Sequence, residues 1–544
     1  HLRIQSDAII KELAHLENRM NTFATQLRLG LHAELSGSDS NGFDMKELKS
    51  FVNREPLDRE TDAIYFPTLS DNRLLTAVVR GAGFTCVDNY DESYTLESAV
   101  RRGRSVTGDA VCAPLAAVYG DVLNAIDDFK KRKKAGDPEF LLKKRLLIFN
   151  NKGMGPCRQG QYVEAHKLFL RKSSFGNGID GDLADSLMHF LVGHENKGFN
   201  VGFPQWAFFR GIQSIVLQGV LHQLLAAGSS RCLNSGEYEA FLDDYRQLKC
   251  DLGNVLENFI APSPGALTLA KKLRPIPALA FAAKFFAYRF HQNPLWKPLR
   301  RFSNRWCRSP LPGDAIRIHV DGEVYMRTSQ FEEICRTLLK VLGFRRFELT
   351  YAPVWSFLEY KLAGMLMRAE EGIRESIGEI RRATSAGFRR ERGAFAIQKV
   401  KRSFKMRLSI FGLRRILAAP LYSAARLHIP EPMTDVLDVA GTIVPTRRPG
   451  GELMPFVGET ILKLRDGYDL ILNVAPEGCM VSSMGEVIAK ALVDAVPQAK
   501  GRVEHLFSQQ GDVDEGALER ALLTVLGPQR LYRPAQSTKT ADSG

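Results

Sequence analysis

Short apolar runs alternate with amphipathic helical patterns in two separate parts of this chain, and that alternation restricts its possible folds more than any other feature. The first part opens at residues 62–89 with "DAIYFPTLSDNRLLTAVVRGAGFTCVDN". This is an apolar run, a loop, a helical pattern ending at Gly81 or Gly83, and a second apolar run. "RLLIFNN" (145–151) reads as a further strand. The second part repeats the scheme with "AIRIHVDGEVYM" (315–326), a helix through "FEEICRTLLKVLG" (331–343), and the strands "RRFELTYAP" (345–353) and "YDLILNVAP" (468–476). Short strands each followed by a helix build β-α-β units around a parallel sheet.

A chain of 544 residues exceeds one ordinary core and predicts about two to four domains. Residues 1–50 read as a helical arm and linker, with Ile9, Ile10, Leu13, Leu16 and Met20 near helical spacing before the polar "LSGSDSNGFD". A first α/β domain is expected at 51–200 and a helix-rich connecting region, broken at "APSPGA", at 201–312. A second α/β domain with long basic helices follows at 313–505. Residues 506–544 read as a C-terminal helix and a flexible polar tail beyond Pro528. No internal repeat of solenoid period is present.

Hydrophobic residues make up 44% and charged residues 25%, an ordinary globular balance. The net charge of +13 gathers in "GFRRERGAFAIQKVKRSFKMRLSIFGLRR" (387–415) and "WKPLRRFSNRWCR" (296–308). Neither run carries a nucleic-acid motif, so each reads as a helix facing solvent or an acidic partner. The longest apolar patch, "PIPALAFAAKFFAYRF" (275–290), is short and carries Lys284 and Arg289, which excludes it as a membrane span. Eight cysteines without close pairing do not form a secreted disulfide framework. No signal peptide is read at the amino end, and a reducing, cytoplasmic compartment is expected. The first residue is His1, which suggests a processed chain or a piece of a longer one.

Three cysteines occupy comparable places. Cys112 stands in "VTGDAVCAPLAAVYGDVL", Cys157 in "GMGPCRQGQY" and Cys479 in "VAPEGCMVSSMGE". Each has Gly and Pro nearby and a helical pattern after it, and Cys157 and Cys479 follow predicted strands. Ligands of open α/β sheets gather at that edge. A helix amino terminus favours thiolate charge, and its amides can donate to cluster sulfurs. Local chemistry leaves two readings open: buried thiols in turns, or three thiolates for an iron–sulfur cluster or zinc with a fourth position open. Cys86, Cys232, Cys250, Cys307 and Cys335 read as buried or incidental thiols. His189 and His194, five residues apart, do not share a helix face and read as helix-terminal or solvent histidines rather than metal ligands, and Ser482 and Ser483 lack a His/Asp signature. The glycines form neither a P-loop nor a strand-bound G-x-G-x-x-G, so ATP is not expected to bind this chain.

The segments "TGDAVCAPLAAVYGDVL", "GPCRQGQY", "DGEVYMR" and "NVAPEGCM" occur in the order expected for the 2-hydroxyacyl-CoA dehydratase and benzoyl-CoA reductase superfamily. The chain most resembles the cluster-binding C-terminal region of the large acyl-CoA dehydratase activator-related proteins, over residues 60–500. That resemblance implies two Rossmann- or flavodoxin-like domains with parallel sheets. It makes Cys112, Cys157 and Cys479 the protein ligands of a 4Fe-4S cluster in the cleft between them. It implies an ATP-hydrolysing activator domain or subunit of the actin-like type as partner, together with an acyl-CoA dehydratase or reductase, and low-potential electron relay as the role. Whether the chain is itself an enzyme stays open. The competing reading is a non-enzymatic scaffold that keeps the fold with a degenerate site.

Four further residues take supporting roles under the resemblance. Arg158 would neutralise cluster charge or cap a helix. Glu323, Tyr325 and Arg327 would share one face if their strand continues, and would either make inter-domain hydrogen bonds or partner contacts or simply form a structural strand end. The sequence departs from the family pattern at Gln159, where phenylalanine is expected, and in "PEGCMVS", where Glu477 would lower a cluster's potential. "RCLNSGEYEAF" stands where Arg-Pro-Tyr-Glu is often found.

Overall fold

Among the described residues, both alternating regions fold as four-stranded parallel sheets. The computed structural model describes residues 58–67, 73–87, 95–108, 112–151, 162–171, 187–190, 205–258, 293–445, 451–476, 479–508 and 512–531, and positions 265, 268–269, 272–273, 279, 283 and 287. The expected arm at 1–50, the break at "APSPGA" save Gly265, and the tail beyond 531 lie outside these residues. Among the described residues no helix is long and apolar enough to cross a membrane.

The first region runs β1 (Asp62–Tyr65), α1 (Arg73–Gly81), β2 (Thr85–Cys86), α2 (Leu96–Thr107), α3 (Ala113–Lys134), β3 (Arg145–Asn151), α4 (Tyr162–Arg171) and β4 (Leu187–Phe190). Its strand order is β2-β1-β3-β4, so the chain moves to one side of β1 and then crosses to the other. Register is set by pairs such as Ile64 with Leu147. Ala63, Leu146 and Ile148 pack against Tyr119, Val122, Ile126 and Phe129 from α3. Strands covered on both faces need such continuous apolar runs, which is why these segments were readable from sequence.

Helices α2 and α3 touch backbone to backbone. A Cβ added at Gly103 would stand 1.8 Å from the Ala116 carbonyl oxygen, and one at Gly120 would stand 2.0 Å from that of Ala99. The two glycines face each other's helix, and only their missing side chains permit the approach.

Helices α5 (Gln205–Ser229), α6 (Ser235–Glu257) and α7 (Asn293–Trp306) occupy the expected helix-rich region. The His222 ring of α5 packs against Phe331 and Tyr351 at centroid distances of 5.8 and 5.0 Å, which fastens this layer to the second sheet.

The second region runs β5 (Ile316–Gly322), α8 (Val324–Ser329), α9 (Phe331–Leu342), β6 (Phe347–Tyr351), α10 (Ser356–Arg382), α11 (Ala386–Phe411), α12 (Ala419–Ala425), α13 (Met433–Ala440), α14 (Leu453–Arg465), β7 (Leu470–Pro476), α15 (Met480–Ala495) and β8 (Val503–Ser508). A π-helical turn, Gly412–Ala418, joins α11 to α12, and α16 (Glu515–Leu531) follows β8. The order β6-β5-β7-β8 repeats that of the first sheet. All seven residues of the inner strand β7 are buried, while the edge strand β8 is only partly so. Phe456, Val457 and Ile461 of α14 meet Ile471, Ile488 and Leu492 in the core.

Helices α10 and α11 form an antiparallel hairpin, held by Arg407–Glu370 (2.6 Å) and Arg392–Glu379 (3.0 Å). No Lys or Arg between 387 and 415 is buried, as the run's composition requires.

Three expectations need correction. Strand β5 stops at Gly322, whose φ of +118° turns the chain into α8, so Glu323, Tyr325 and Arg327 are not alternate residues of a strand. His189 lies on β4 rather than in a helix, and His194 lies outside the described residues. Strand β8 runs to Ser508, three residues past the expected limit of the second domain at 505, because it completes the sheet beside β7.

Candidate functional site

Cys112 is the N-cap residue of α3 and Cys479 that of α15. Both have extended backbone, both are partly exposed, and neither side chain bonds to the amides of its helix. Their carbonyls accept the first helical hydrogen bonds instead, from Leu115 at 3.0 Å and Ser483 at 2.9 Å. Cys112 Sγ stands 3.2 Å from the hydroxyl of Tyr162, the first residue of α4. Cys157, Arg158, Gln159 and Glu477 lie outside the described residues. Of the remaining cysteines, burial pushes the thiols of Cys232, Cys307 and Cys335 up to about 12, Cys86 is fully enclosed, and the partly exposed Cys250 accepts from the Arg73 guanidinium at 3.1 Å. No disulfide is present among the described residues.

Among the described residues, the segments of Cys112, "DGEVYMR" and Cys479, together with Tyr162, are neighbours in space. Tyr325 OH donates to Asp121 Oδ2 at 2.6 Å, joining α8 of the second region to α3 of the first. Tyr325 also packs with Leu115, Val118 and Tyr162, and the partly buried Cys112 lies against the same cluster. On its other side, the Glu323 amide donates to the Val474 carbonyl of β7 at 2.8 Å, just before the turn to Cys479. Cys479 N–H in turn donates to the Pro476 carbonyl at 3.2 Å. The "DGEVYMR" segment thus touches the segments of Cys112 and Cys479 through consecutive turns of chain.

Glu323 and Arg327 have roles different from each other. Glu323 caps α8, its Oε2 accepting from Met326 N–H at 2.8 Å. Arg327 pairs with Asp321 and lies with its guanidinium 5.6 Å from the centre of the Tyr351 ring. Burial opposes the Arg327 charge, but Asp321, Tyr351 and Glu452 together outweigh it and hold the guanidinium protonated.

A dense set of ionisable groups surrounds that pair. His319 and Asp321 rise from β5, Glu459 from α14, and Glu452 stands just before α14 with its Oε1 accepting from Val324 N–H at 2.9 Å. Glu452 keeps some exposed surface, yet its carboxyl group is enclosed. Burial raises it to about 8, and the nearby Glu323 carboxyl adds to the rise. Burial also raises Glu323 and Glu459, and brings Asp321 up to about 6 against the pull of Arg327. His319 is held down to about 3, first by burial and then by Lys463. Among the described residues, His319, Asp321 and Glu459 are the group of His, Cys, Asp or Glu side chains whose ligand atoms gather within 4.8 Å of one another.

Sequence reasoning missed His319, Asp321, Glu452 and Glu459. The available signal was "IHVDG": two ionisable residues in alternate positions of a run that reads as a buried inner strand. Glu452 and Glu459, seven residues apart, would fall on one helical face.

Comparison of the chain with family models, curated proteins and solved structures gives no match.

Proposed function

We propose that this protein is an iron–sulfur protein of the 2-hydroxyacyl-CoA dehydratase/activator type, which relays low-potential electrons and holds a 4Fe-4S cluster on Cys112, Cys157 and Cys479. The observation that carries the reading is the meeting of the Cys112, Tyr325 and Cys479 segments around α8, through Tyr325–Asp121 and Glu323–Val474. These segments are far apart in sequence and meet in the fold, which supports a shared site.

The two described cysteines suit such a group. Both are partly exposed at helix starts whose amides their side chains leave free, where thiolate charge is favoured. Cys232, Cys307 and Cys335, kept protonated by burial, do not suit it. A bound cluster would supply one-electron transfer. The Tyr162 hydroxyl, 3.2 Å from Cys112 Sγ, is placed to donate to a thiolate there. Tyr325 and Asp121 hold α8 against the start of α3 and so position Cys112.

The strand order 2-1-3-4 in each sheet matches the opening of the flavodoxin-like order, so we read the two halves as Rossmann- or flavodoxin-like domains with switch points beside β1 and β5. An ATP-hydrolysing activator of the actin-like type is the proposed electron donor, an acyl-CoA dehydratase or reductase the acceptor, and a reducing cytoplasm the setting.

Anaerobic purification with iron and sulfide analysis tests the reading. The expected content is about four iron and four sulfide per chain, lost in Cys112→Ala, Cys157→Ala and Cys479→Ala and retained in Cys86→Ala and Cys335→Ala. A chain carrying neither iron nor sulfide is the scaffold instead.

A further inference from the structure

Three ligand-type side chains meet between β5 and α14. His319 and Asp321 are two residues apart on β5 and share one face of the strand, and Glu459 reaches that face from α14. His319 Nδ1 is bonded to Thr350 Oγ1 at 2.9 Å, which fixes the ring and leaves Nε2 facing Glu459 Oε2 at 3.3 Å. Nε2 makes no hydrogen bond in that position. Asp321 uses Oδ1 for Gly322 N–H and Arg327, and its Oδ2 likewise has no hydrogen-bond partner. His319 and Asp321 are only 2% and 3% exposed. Buried polar atoms left in this state are unfavourable and uncommon.

We propose that His319, Asp321 and Glu459 bind a first-row divalent cation of the Mn²⁺, Fe²⁺ or Zn²⁺ class. An imidazole nitrogen aimed at a metal while the other nitrogen is fixed by a hydrogen bond is the usual arrangement of a ligating histidine. Two donors each about 2.0–2.1 Å from a tetrahedral ion stand roughly 3.3 Å apart, which is the separation of His319 Nε2 and Glu459 Oε2. A mixed imidazole and carboxylate set selects such ions over Ca²⁺, which takes oxygen ligands.

Local charge points the same way. Asp321, Glu323, Glu452 and Glu459 face Arg327, with the buried Lys361 near Glu452 and the half-buried Lys463 beside Glu459. With every carboxyl ionised, the four carboxylates outnumber these three cations, and the net negative charge attracts a cation. The site uses none of the cysteines and does not depend on a cluster.

The full chain, stripped with chelator and desalted, is titrated with MnCl₂ while free Mn²⁺ is followed by electron paramagnetic resonance. Mn²⁺ is the probe because thiolates compete poorly for it. The expected result is one Mn²⁺ per chain, unchanged in Cys112→Ala and Cys479→Ala. Glu459→Gln and Asp321→Asn keep side-chain shape and should weaken binding by at least about 10–100-fold, and Thr350→Val by about tenfold. Circular dichroism establishes that each variant is folded. A wild-type chain that takes up no stoichiometric Mn²⁺ overturns the proposal, as does a folded Glu459→Gln that binds as wild type does. If Glu459→Gln does not fold, unchanged affinity in Thr350→Val decides against it equally.

Discussion

The Tyr325 hydroxyl donates a 2.6 Å hydrogen bond to the Asp121 carboxylate, and both residues are buried. The bond links the helix after β5 to the helix that begins at Cys112, so a change at one should be felt at the other. Tyr325→Phe removes the donor and should lower stability by about 1–3 kcal/mol. In a double-mutant cycle with Asp121→Asn, measured by urea unfolding, the coupling should exceed about 0.5 kcal/mol. Additive losses would show that the two residues do not act together.

The contact of α2 with α3 allows a contrast between glycines. Gly103→Ala and Gly120→Ala each drive a methyl group into a carbonyl of the facing helix and should cost at least about 1–3 kcal/mol. Gly393, within α11, has nothing within 4 Å of an added Cβ. Gly393→Ala should therefore stabilise by about 0.5–1 kcal/mol through helix propensity alone. Thermal melts of the three variants check the signs. Equal effects at all three positions would contradict the packing described.

His166 is buried between the Tyr119 and Tyr162 rings, and burial holds it down to about 4, below its ordinary 6.5. The unfolded chain takes up this proton first, so stability falls as pH drops from about 6.5 to about 4. The difference between wild type and His166→Gln should move by on the order of 3 kcal/mol across that window. A pH-independent difference would mean that the ring is hydrated and not enclosed.

Glu452 has the opposite sign. Its folded value is raised to about 8, so its stabilising contribution is complete below about 4.5 and is lost as pH rises through 8. Glu452→Gln should become progressively more stable relative to wild type between pH 5 and pH 9 (about the window its titration spans). Parallel pH profiles for the two proteins would count against an enclosed carboxyl.

How much of this was legible in sequence follows from where each signal resides. β3 and β7 were read closely, because inner parallel strands must be apolar throughout and announce themselves locally. The end of β5 was not, since "DGEVYM" continues an extended-looking pattern and only the φ of +118° at Gly322 turns it into α8. The helix starts at Cys112 and Cys479 were readable from their Gly and Pro neighbours. The ionisable group around Asp321 was not, because a charge on a buried strand is tolerated only through partners on α14 that no local window contains. Asp121 was overlooked for the same reason: its partner Tyr325 belongs to the other sheet's region.

The central claim is that Cys112, Cys157 and Cys479 serve one cluster. Crystals of the anaerobically purified full chain, measured at the iron absorption edge, test it most directly. The account predicts a single compact anomalous peak bonded to all three sulfurs, which lie within roughly 6–8 Å of one another as ligands of one small cluster. Three sulfurs spread over separate surfaces, with no iron between them, would contradict it.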